Sequence, residues 1–555
     1  MSLVAMVPEV FAPGGVLARA DERFQPRDGQ TQMAVAVAQT IAEGGALVVE
    51  AGTGVGKTYA YLVPALLSGE RVLLSTATKA LQDQLFARDL PRLAQMLGLP
   101  VRMALLKGRA SYLCLHRMQQ ARLDVQAQDR GVARVLANVE DWSRQTVSGD
   151  LAELTGLDER SPVIPLVTST RENCLGSSCP RFRECHVHRA RREALAADIV
   201  VINHHLFFAD VAVRESGMAE LLPTVRVVVF DEAHQINETG VQFLGTQMST
   251  GQWMDFARDL LIAGLQHARG LADWAGLSQI LELSARDLRL VVGNAIFQGA
   301  NGVAAGARVR WTEEAPEGVS GAAWNAALRA LGSACAQSLE ALDTVSEISP
   351  DLERLYERGS ALLARLARFS GPCQADAVRW LDVGNQLRLI ESPLDIADAM
   401  RTRILTSPAE TVEGDAWPEE SAANVGRAWI FTSATLGADE ALTWFTERAG
   451  LKDARILRVA SPFDYARHAA LYVPRQLPSP ADPSHSRSVA EWVALAAEPL
   501  GGRTLVLTTT LKALRTIGDA LKARWQTSGA LEVLVQGEWP KRRLMERFRE
   551  GASHG

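Results

Sequence analysis

The sequence predicts an α/β protein built on a mostly parallel sheet, and three observations carry that prediction. Short continuous apolar runs ending in polar residues recur along the chain, and helical periodicity follows them. A glycine-rich turn closing in Lys-Thr follows the first of these runs, where a strand would hand over to a helix. The 555 residues also exceed what one hydrophobic core supports, so roughly three or four domains are expected.

Composition narrows the class. Hydrophobic residues at 47% and charged residues at 22% describe an ordinary globular protein. No segment reaches the roughly 18 uninterrupted apolar residues of a membrane helix, and MSLVAMVPEVFAPGG lacks the basic start and long apolar run of a signal peptide. The expectation is a cytoplasmic protein with no membrane association. Net charge is −6, so a polyanion would have to bind through local patches. RFRECHVHRARR (181 to 192) is one such patch, with five arginines against one glutamate. Runs like it are most often solvated helix faces.

The elements follow in order. ALVVEAGTGVGKTYAYLVPALL (46 to 67) reads as buried strand, turn and helix. Its turn, Ala51-Gly52-Thr53-Gly54-Val55-Gly56-Lys57-Thr58, is a phosphate-binding loop with Ala in the place of the usual first Gly. The three glycines let successive N–H groups turn inward as an anion nest at a helix N-terminus. Lys57 is placed to reach β- and γ-phosphates, and the Thr58 hydroxyl to ligand Mg²⁺. A chance glycine-rich turn is the competing reading. RVLLSTATKALQDQL (71 to 85) and DIVVINHHLFF (198 to 208) are strand-like, then polar. VRVVVFDEAH (225 to 234) is an apolar strand delivering Asp231 and Glu232, with His234 closing the motif. A carboxylate there can hold Mg²⁺, and its neighbour can orient or deprotonate an attacking water. AWIFTSATL (428 to 436) ends in Ser433, Ala434 and Thr435. RILRV (455 to 459), TLVLTTT (504 to 510) and LEVLVQG (531 to 537) are expected as strands of a second α/β domain.

Four of the six cysteines lie between the Thr-x-Thr segment and DIVVI. Cys174, Cys179 and Cys185 fall within twelve positions, and Cys114 is the best-placed fourth ligand. In a reducing compartment such a group points to metal rather than disulfides. Zinc accepts four thiolates, but its knuckles usually use two-residue spacings. The wider [4Fe-4S] cube suits the four- and five-residue spacings found here. His186 and His188 flank the group and read as surface residues. Cys335 and Cys373 read as core thiols of a helical insertion.

The order of phosphate loop, Thr-x-Thr, Asp-Glu-Ala-His and Ser-Ala-Thr resembles the superfamily 2 DNA helicases of the XPD/DinG type, most closely the bacterial YoaA group. FQPRDGQTQM (24 to 33) matches the family's adenine-reading segment with Arg27 and Gln30, and SPFDY (461 to 465) matches as well. The resemblance implies two RecA-like motor domains. The first comprises 1–105, 196–240 and 426–437; the second is 438–555. It also implies an iron–sulfur domain at 106–195, with Gly108, Arg109, Tyr112 and the four cysteines matching its motif, and a mainly helical arch domain at 241–425. ATP, Mg²⁺ and a [4Fe-4S] cluster are the implied cofactors. Single-stranded or forked DNA and a replication or repair accessory protein are the implied partners of a monomeric motor moving 5′→3′. Tyr112 or Phe182 could stack on a base, or simply pack. The family's Trp-Glu-Gly-x-Asp and Gln-x-x-Gly-Arg-x-x-Arg segments do not occur in the chain. A truncated second domain that binds ATP and hydrolyses it poorly is therefore expected. Two other readings stay open: an ATP-binding DNA scaffold without turnover, and an RNA-directed motor with structural zinc.

Overall fold

The computed structural model describes residues 2–125, 130–158, 161–215, 222–298, 307–373, 377–405, 426–526, 528–539 and 541–552. Among these residues the apolar runs become β1 (Gly45–Ala51), β2 (Val72–Thr76), β3 (Met103–Leu105), β4 (Ile199–Asn203) and β5 (Val227–Asp231). They are followed by β6 (Thr246–Ser249), β7 (Ala307–Trp311), β8 (Ala377–Val383), β9 (Leu387–Pro393), β10 (Ala428–Ser433) and β11 (Arg455–Val459). Two units result: Met1–Glu153 with Pro162–Phe463, and Leu154–Ser161 with Asp464–Gly555.

Seven strands of the first unit form one parallel sheet in the order β11-β1-β10-β5-β2-β4-β3. Alternation explains why the runs are apolar throughout. Leu47, Val49, Leu74, Val201, Val229 and Ile430 face one core, shared with the helix Asp28–Glu43 and the helix Lys57–Leu67. Val48, Leu73, Val200, Val228 and Phe431 face the other, shared with Phe207, Ile236 and Phe445. Both faces are covered, so the strand interiors favour apolar residues on each side. At the N-terminus, Leu3–Phe11 and Val16–Ala20 are separate helices whose Val7, Phe11 and Leu17 enter the first core.

One strand departs from expectation. The sequence places β11 at the start of the second α/β domain, whereas it extends the first sheet as an edge strand beside β1. Its arginines explain the attachment. Arg458 pairs with Glu50 at 2.8 Å, and Arg455 bonds Gln39 and Thr40 of the neighbouring helix at 3.1 and 2.6 Å. The boundary of the second unit therefore falls after Phe463 rather than at 438.

The insertion after β5 is not purely helical. Helices Thr250–His267, Trp274–Gln298, Gly321–Asp343 and Pro350–Ser370 surround a core containing Trp253, Trp274, Trp324 and Phe256. An antiparallel sheet, β6-β9-β8-β7, packs with them. Cross-strand Arg379 and Glu391 form a buried ion pair in that sheet, and Arg379 also stacks on Trp311. Cys335 is buried as expected, while Cys373 is exposed because it lies beyond the end of helix Pro350–Ser370.

The cysteine segment joins this insertion through a charged seam. Glu172 accepts from Arg365 at 2.8 Å and Gln252 at 3.0 Å. Asp259 bonds Arg358 at 2.8 Å and Arg117 at 3.3 Å, and Asp351 bonds His116 and Gln120 at 3.1 Å.

In the second unit, helices His485–Ala497 and Leu511–Trp525 pack through Ala490, Ala494, Ile517, Leu521 and Trp525. Residues 504–510 and 531–537, expected as strands, carry no ladder among the described residues; the isolated bridge there joins Gln536 to Trp539. Val506, Leu531 and Val533 still pack on the helices, so the apolar alternation is used without strand pairing.

Candidate functional site

The phosphate loop forms as its glycines require. Gly54 and Gly56 lie at φ +88° and +86°, the left-handed region that an L side chain rarely adopts. Gly52 is constrained by closeness instead, since a Cβ there would lie 2.7 Å from the Ser461 backbone nitrogen. The expected adenine-side residues close on this loop: Arg27 donates to the Gly54 carbonyl, and Gln30 Nε2 donates to the Gly56 carbonyl at 3.0 Å. Ser461 donates to the Thr53 carbonyl at 2.7 Å, which brings the first three residues of SPFDY, Ser461 to Phe463, to the same place. Ala51 ends β1, fully buried, and Val55 anchors the loop in the core. Lys57 Nζ reaches back to the Ala51 carbonyl at 3.4 Å, a long bond that leaves its charge available to an incoming phosphate.

Asp231 and Glu232 arrive from β5, two strands away from β1. Asp231 is nearly buried, and its pKa is pushed up to about 6 by desolvation first and the adjacent Glu232 second, against the pull of Lys57. The Tyr61 hydroxyl lies against both Thr58 and Asp231 without closing a bond of ordinary geometry, and burial lifts its own pKa well above the usual value. Glu232 sits at φ +55°, a strained conformation for a non-glycine residue. Ser433, at the end of β10, donates to Glu232 at 3.2 Å and lies 2.8 Å from His234 Nδ1. Glu50 of β1 accepts from the backbone N–H groups of Leu436 and Gly437 at 2.7 and 3.1 Å, which fixes the turn after Ser-Ala-Thr. Lys57, Thr58, Asp231, Glu232 and Ser433 thus meet at the carboxyl edge of one parallel sheet, where such sheets bind ligands.

Sequence reasoning missed Tyr61, Glu50, Arg458 and Ser461's bond to the loop. Tyr61 carried a usable signal, since it falls three residues after Thr58 on one helix face. Glu50 looks like an interruption of an apolar strand, and its partners lie 386 and 387 residues away.

Cys174, Cys179 and Cys185 lie beside the short turns Gly176–Ser178 and Phe182–Glu184, and Cys114 directly precedes helix Leu115–Val125. Cys114 and Cys179 both have raised pKa values, first through burial; against a backbone hydrogen bond at each, Cys174, Cys179 and Cys185 add to the rise at Cys114, and Cys174, Cys185 and Asp351 to that at Cys179. Among the described residues, no three His, Cys, Asp or Glu side chains are gathered as ligands of a single ion. Of the two readings left open for Tyr112, packing is the one found, and the expectation of a surface His186 fails. Tyr112 is buried, its hydroxyl accepting the Lys107 N–H at 3.0 Å, so it packs and does not face a base. His186 is buried too, its ring against Gly149, rather than on the surface. Phe182 lies against His188, the ring centroids 4.2 Å apart and the planes tilted by 37°. Of the arginines, Arg181 pairs with Glu184 and Arg189 with Glu193, while Arg183 and Arg192 are exposed beside a cavity of about 470 Å³ that Cys185 also lines.

Residues 31–139 match the DEAD/DEAH box helicase family model. The chain is 37% identical to the ATP-dependent DNA helicase YoaA of Escherichia coli (strain K12), across 97% of this chain and 79% of that one. It is 32% identical to the ATP-dependent helicase DinG of Mycobacterium tuberculosis, across 100% of this chain and 80% of that one. A solved XPD helicase is similar with a TM-score of 0.47 at 14% identity, covering 90% of this chain and 74% of that one. Identity of this order, sustained over nearly the whole chain and most of each relative, establishes kinship: the protein belongs to the DinG/YoaA family of ATP-dependent DNA helicases.

Proposed function

We propose that the chain is a 5′→3′ helicase or translocase on single-stranded or forked DNA, driven by ATP hydrolysis and carrying a [4Fe-4S] cluster, in DNA repair or replication. The observation that carries the reading is the meeting of the phosphate loop, the Asp231-Glu232 turn and Ser433 at one sheet edge. The positive-φ glycines of the loop and the weakly engaged Lys57 charge fit a triphosphate, and Thr58 with Asp231 fits its Mg²⁺. Mg²⁺ held there would offset the negative charge of the phosphates. Lys57 holds those phosphates, and Arg27 and Gln30 hold the loop on the adenine side. Glu232, steadied by Ser433 and His234, orients the attacking water and receives its proton.

Cys114, Cys174, Cys179 and Cys185 would hold the cluster. Support comes from the family motif matched at these positions, and from the four- and five-residue spacings that suit a cube better than one zinc ion. When bound, the cluster would cross-link two segments distant in sequence. Residues 106–195 and 241–425 are read as the iron–sulfur and arch domains, with 438–463 reassigned to the first motor domain. We read the chain as a cytoplasmic monomer recruited by a replication or repair partner; its six unbridged cysteines fit a reducing compartment. The family resemblance supports the polarity.

Unwinding of duplexes with a 5′ tail against those with a 3′ tail, with ATP turnover followed in parallel, tests the reading. Turnover without strand polarity removes the direction. ATP binding with no DNA-stimulated turnover supports a scaffold instead.

A further inference from the structure

The strand beside the phosphate loop is also the last strand before the second unit, and the hydrolytic reading gives its end no part. β11 pairs with β1, and past that ladder the Gly52 N–H donates to the Val459 carbonyl at 3.0 Å. Arg458 anchors this end. It bonds Glu50 Oε1 at 2.8 Å, while Glu50 Oε2 holds the N–H groups of Leu436 and Gly437. Beyond Val459 the chain runs against the loop. A Cβ at Gly52 would lie 2.7 Å from the Ser461 nitrogen, and one at Gly54 would overlap the Phe463 ring. Phe463 closes this part of the first unit, and Asp464 opens the second.

Ser461 stands in the middle of this run, and its hydroxyl serves both sides. It donates to the Thr53 carbonyl at 2.7 Å and accepts the Phe463 N–H at 3.2 Å. A hydroxyl has one proton to give and lone pairs to receive with, so the two bonds are compatible. In a trans peptide the carbonyl and the following N–H point in opposite directions. Holding the Thr53 carbonyl toward Ser461 therefore turns the Gly54 N–H away from it, as an anion nest requires. Arg27 and Gln30 hold the Gly54 and Gly56 carbonyls in the same manner, from the helix Asp28–Glu43 and its cap. Of these three donors, Ser461 is the one next to the chain that leaves for the second unit. Three residues on, Asp464 caps the helix Tyr465–His468 by accepting the Arg467 N–H at 3.2 Å.

We infer that Ser461 is a positioning residue that sets the Thr53–Gly54 peptide for an incoming phosphate and, through the Phe463 N–H, passes the loop's occupancy to the chain entering the second unit. The inference rests on the reading of residues 51–58 as the nucleotide site. A phosphate seated in the nest draws on the N–H side of a peptide whose carbonyl side is held by Ser461, so one hydroxyl steadies both the loop and Phe463. A hydroxyl that only completed a turn would stabilise the chain without linking the responses of the two segments.

The test is amide hydrogen exchange in the full chain, with and without saturating ADP and Mg²⁺, comparing the parent with Ser461→Ala and Ser461→Thr. In the parent, ADP should slow exchange both in the loop, 52–58, and in 463–469. Ser461→Ala should bind ADP about 3- to 10-fold more weakly, the scale of one hydrogen bond. With ADP raised to saturation it should keep the loop's response and lose that of 463–469. Ser461→Thr, which keeps the hydroxyl, should restore both affinity and response. A parent in which ADP slows 52–58 alone overturns the inference and leaves the nucleotide site standing. Unchanged ADP affinity in Ser461→Ala, or a response of 463–469 that persists there, does the same. So does a Ser461→Ala chain that loses both responses at saturation together with melting temperature, without rescue by Thr. A parent that binds no ADP overturns the reading of the loop itself, and the inference falls with it.

Discussion

Asp231 occupies a place that favours its proton in the absence of metal. Its pKa, about 6 against 3.8 for the free side chain, is raised by burial and by Glu232. A carboxylate raised in the fold destabilises that fold once ionised. The cost is absent below the unfolded value, grows between about pH 4 and pH 6, and is complete above. Asp231→Asn should therefore stabilise the metal-free chain at pH 8 by roughly 2–3 kcal/mol, following about 1.4 kcal/mol per pKa unit. The gain should vanish near pH 4. Thermal melts of both chains at the two pH values, without Mg²⁺, check the sign. The same change should abolish ATP turnover and spare much of nucleotide binding, whereas Lys57→Ala should weaken binding itself by removing the cation that faces the phosphates. An unaltered affinity for a fluorescent nucleotide in Lys57→Ala would count against the loop.

At this scale the sequence is most readable where chemistry demands adjacent residues. The phosphate loop and the Asp-Glu-Ala-His turn each lie within eight positions, and they meet as their spacing implies. Glu50 is opaque because its role depends on partners distant in sequence, 386 residues away for the Leu436 N–H.

At the scale of elements, strands buried on both faces are legible, since the interiors of β1, β2, β4, β5 and β10 are predominantly apolar. The position of an edge strand is not. β11 pairs on one side with β1, and side-chain bonds from Arg455 and Arg458, not its pattern, decide which sheet it joins. The cysteine segment shows the opposite case, a group obvious in sequence whose packing is not. Its seam with the insertion runs through Glu172, two residues before Cys174, and through His116, two residues after Cys114. Serine at Cys114, Cys174, Cys179 or Cys185 should release that seam and expose 106–195 to limited proteolysis, while nucleotide affinity stays near the parent's. Iron and sulfide assays on the parent chain check the premise; stoichiometric zinc without sulfide would overturn it.

The arginine run divides at the same scale. Arg181 and Arg189 are engaged by glutamates three and four residues on, as a solvated helix face predicts. Arg183 and Arg192 are exposed beside the cavity near Cys185. Reversing these two charges should weaken single-strand binding for all sequences alike. The slope of log affinity against log salt should fall by about 0.7 for each phosphate that is no longer neutralised. An unchanged slope returns both arginines to the solvated face.

At the scale of the whole molecule, the two units differ in how they use their apolar residues. The sheet of the first is covered on both faces, and its insertion has a core of its own. In the second, Val506, Leu531 and Val533 pack on two helices, but the leucines that flank Val506 do not. Leu505 is 75% exposed and Leu507 95%, and Leu471 is 91% exposed. Tyr472 is covered on one side by Trp492, stacked at 5.3 Å. Exposed apolar side chains on an extended segment make a template for association with other chains. The full chain should consequently bind an apolar-surface dye and self-associate more with rising concentration. Replacing Leu505 and Leu507 with lysine should reduce both effects, because these side chains contribute little to the helical core beneath. Helix content by circular dichroism and nucleotide affinity should stay within error of the parent, since the phosphate loop belongs to the other unit. Dye binding equal in the parent and the lysine variant would show that this face is covered in solution, and self-association would then have to be sought elsewhere on the molecule.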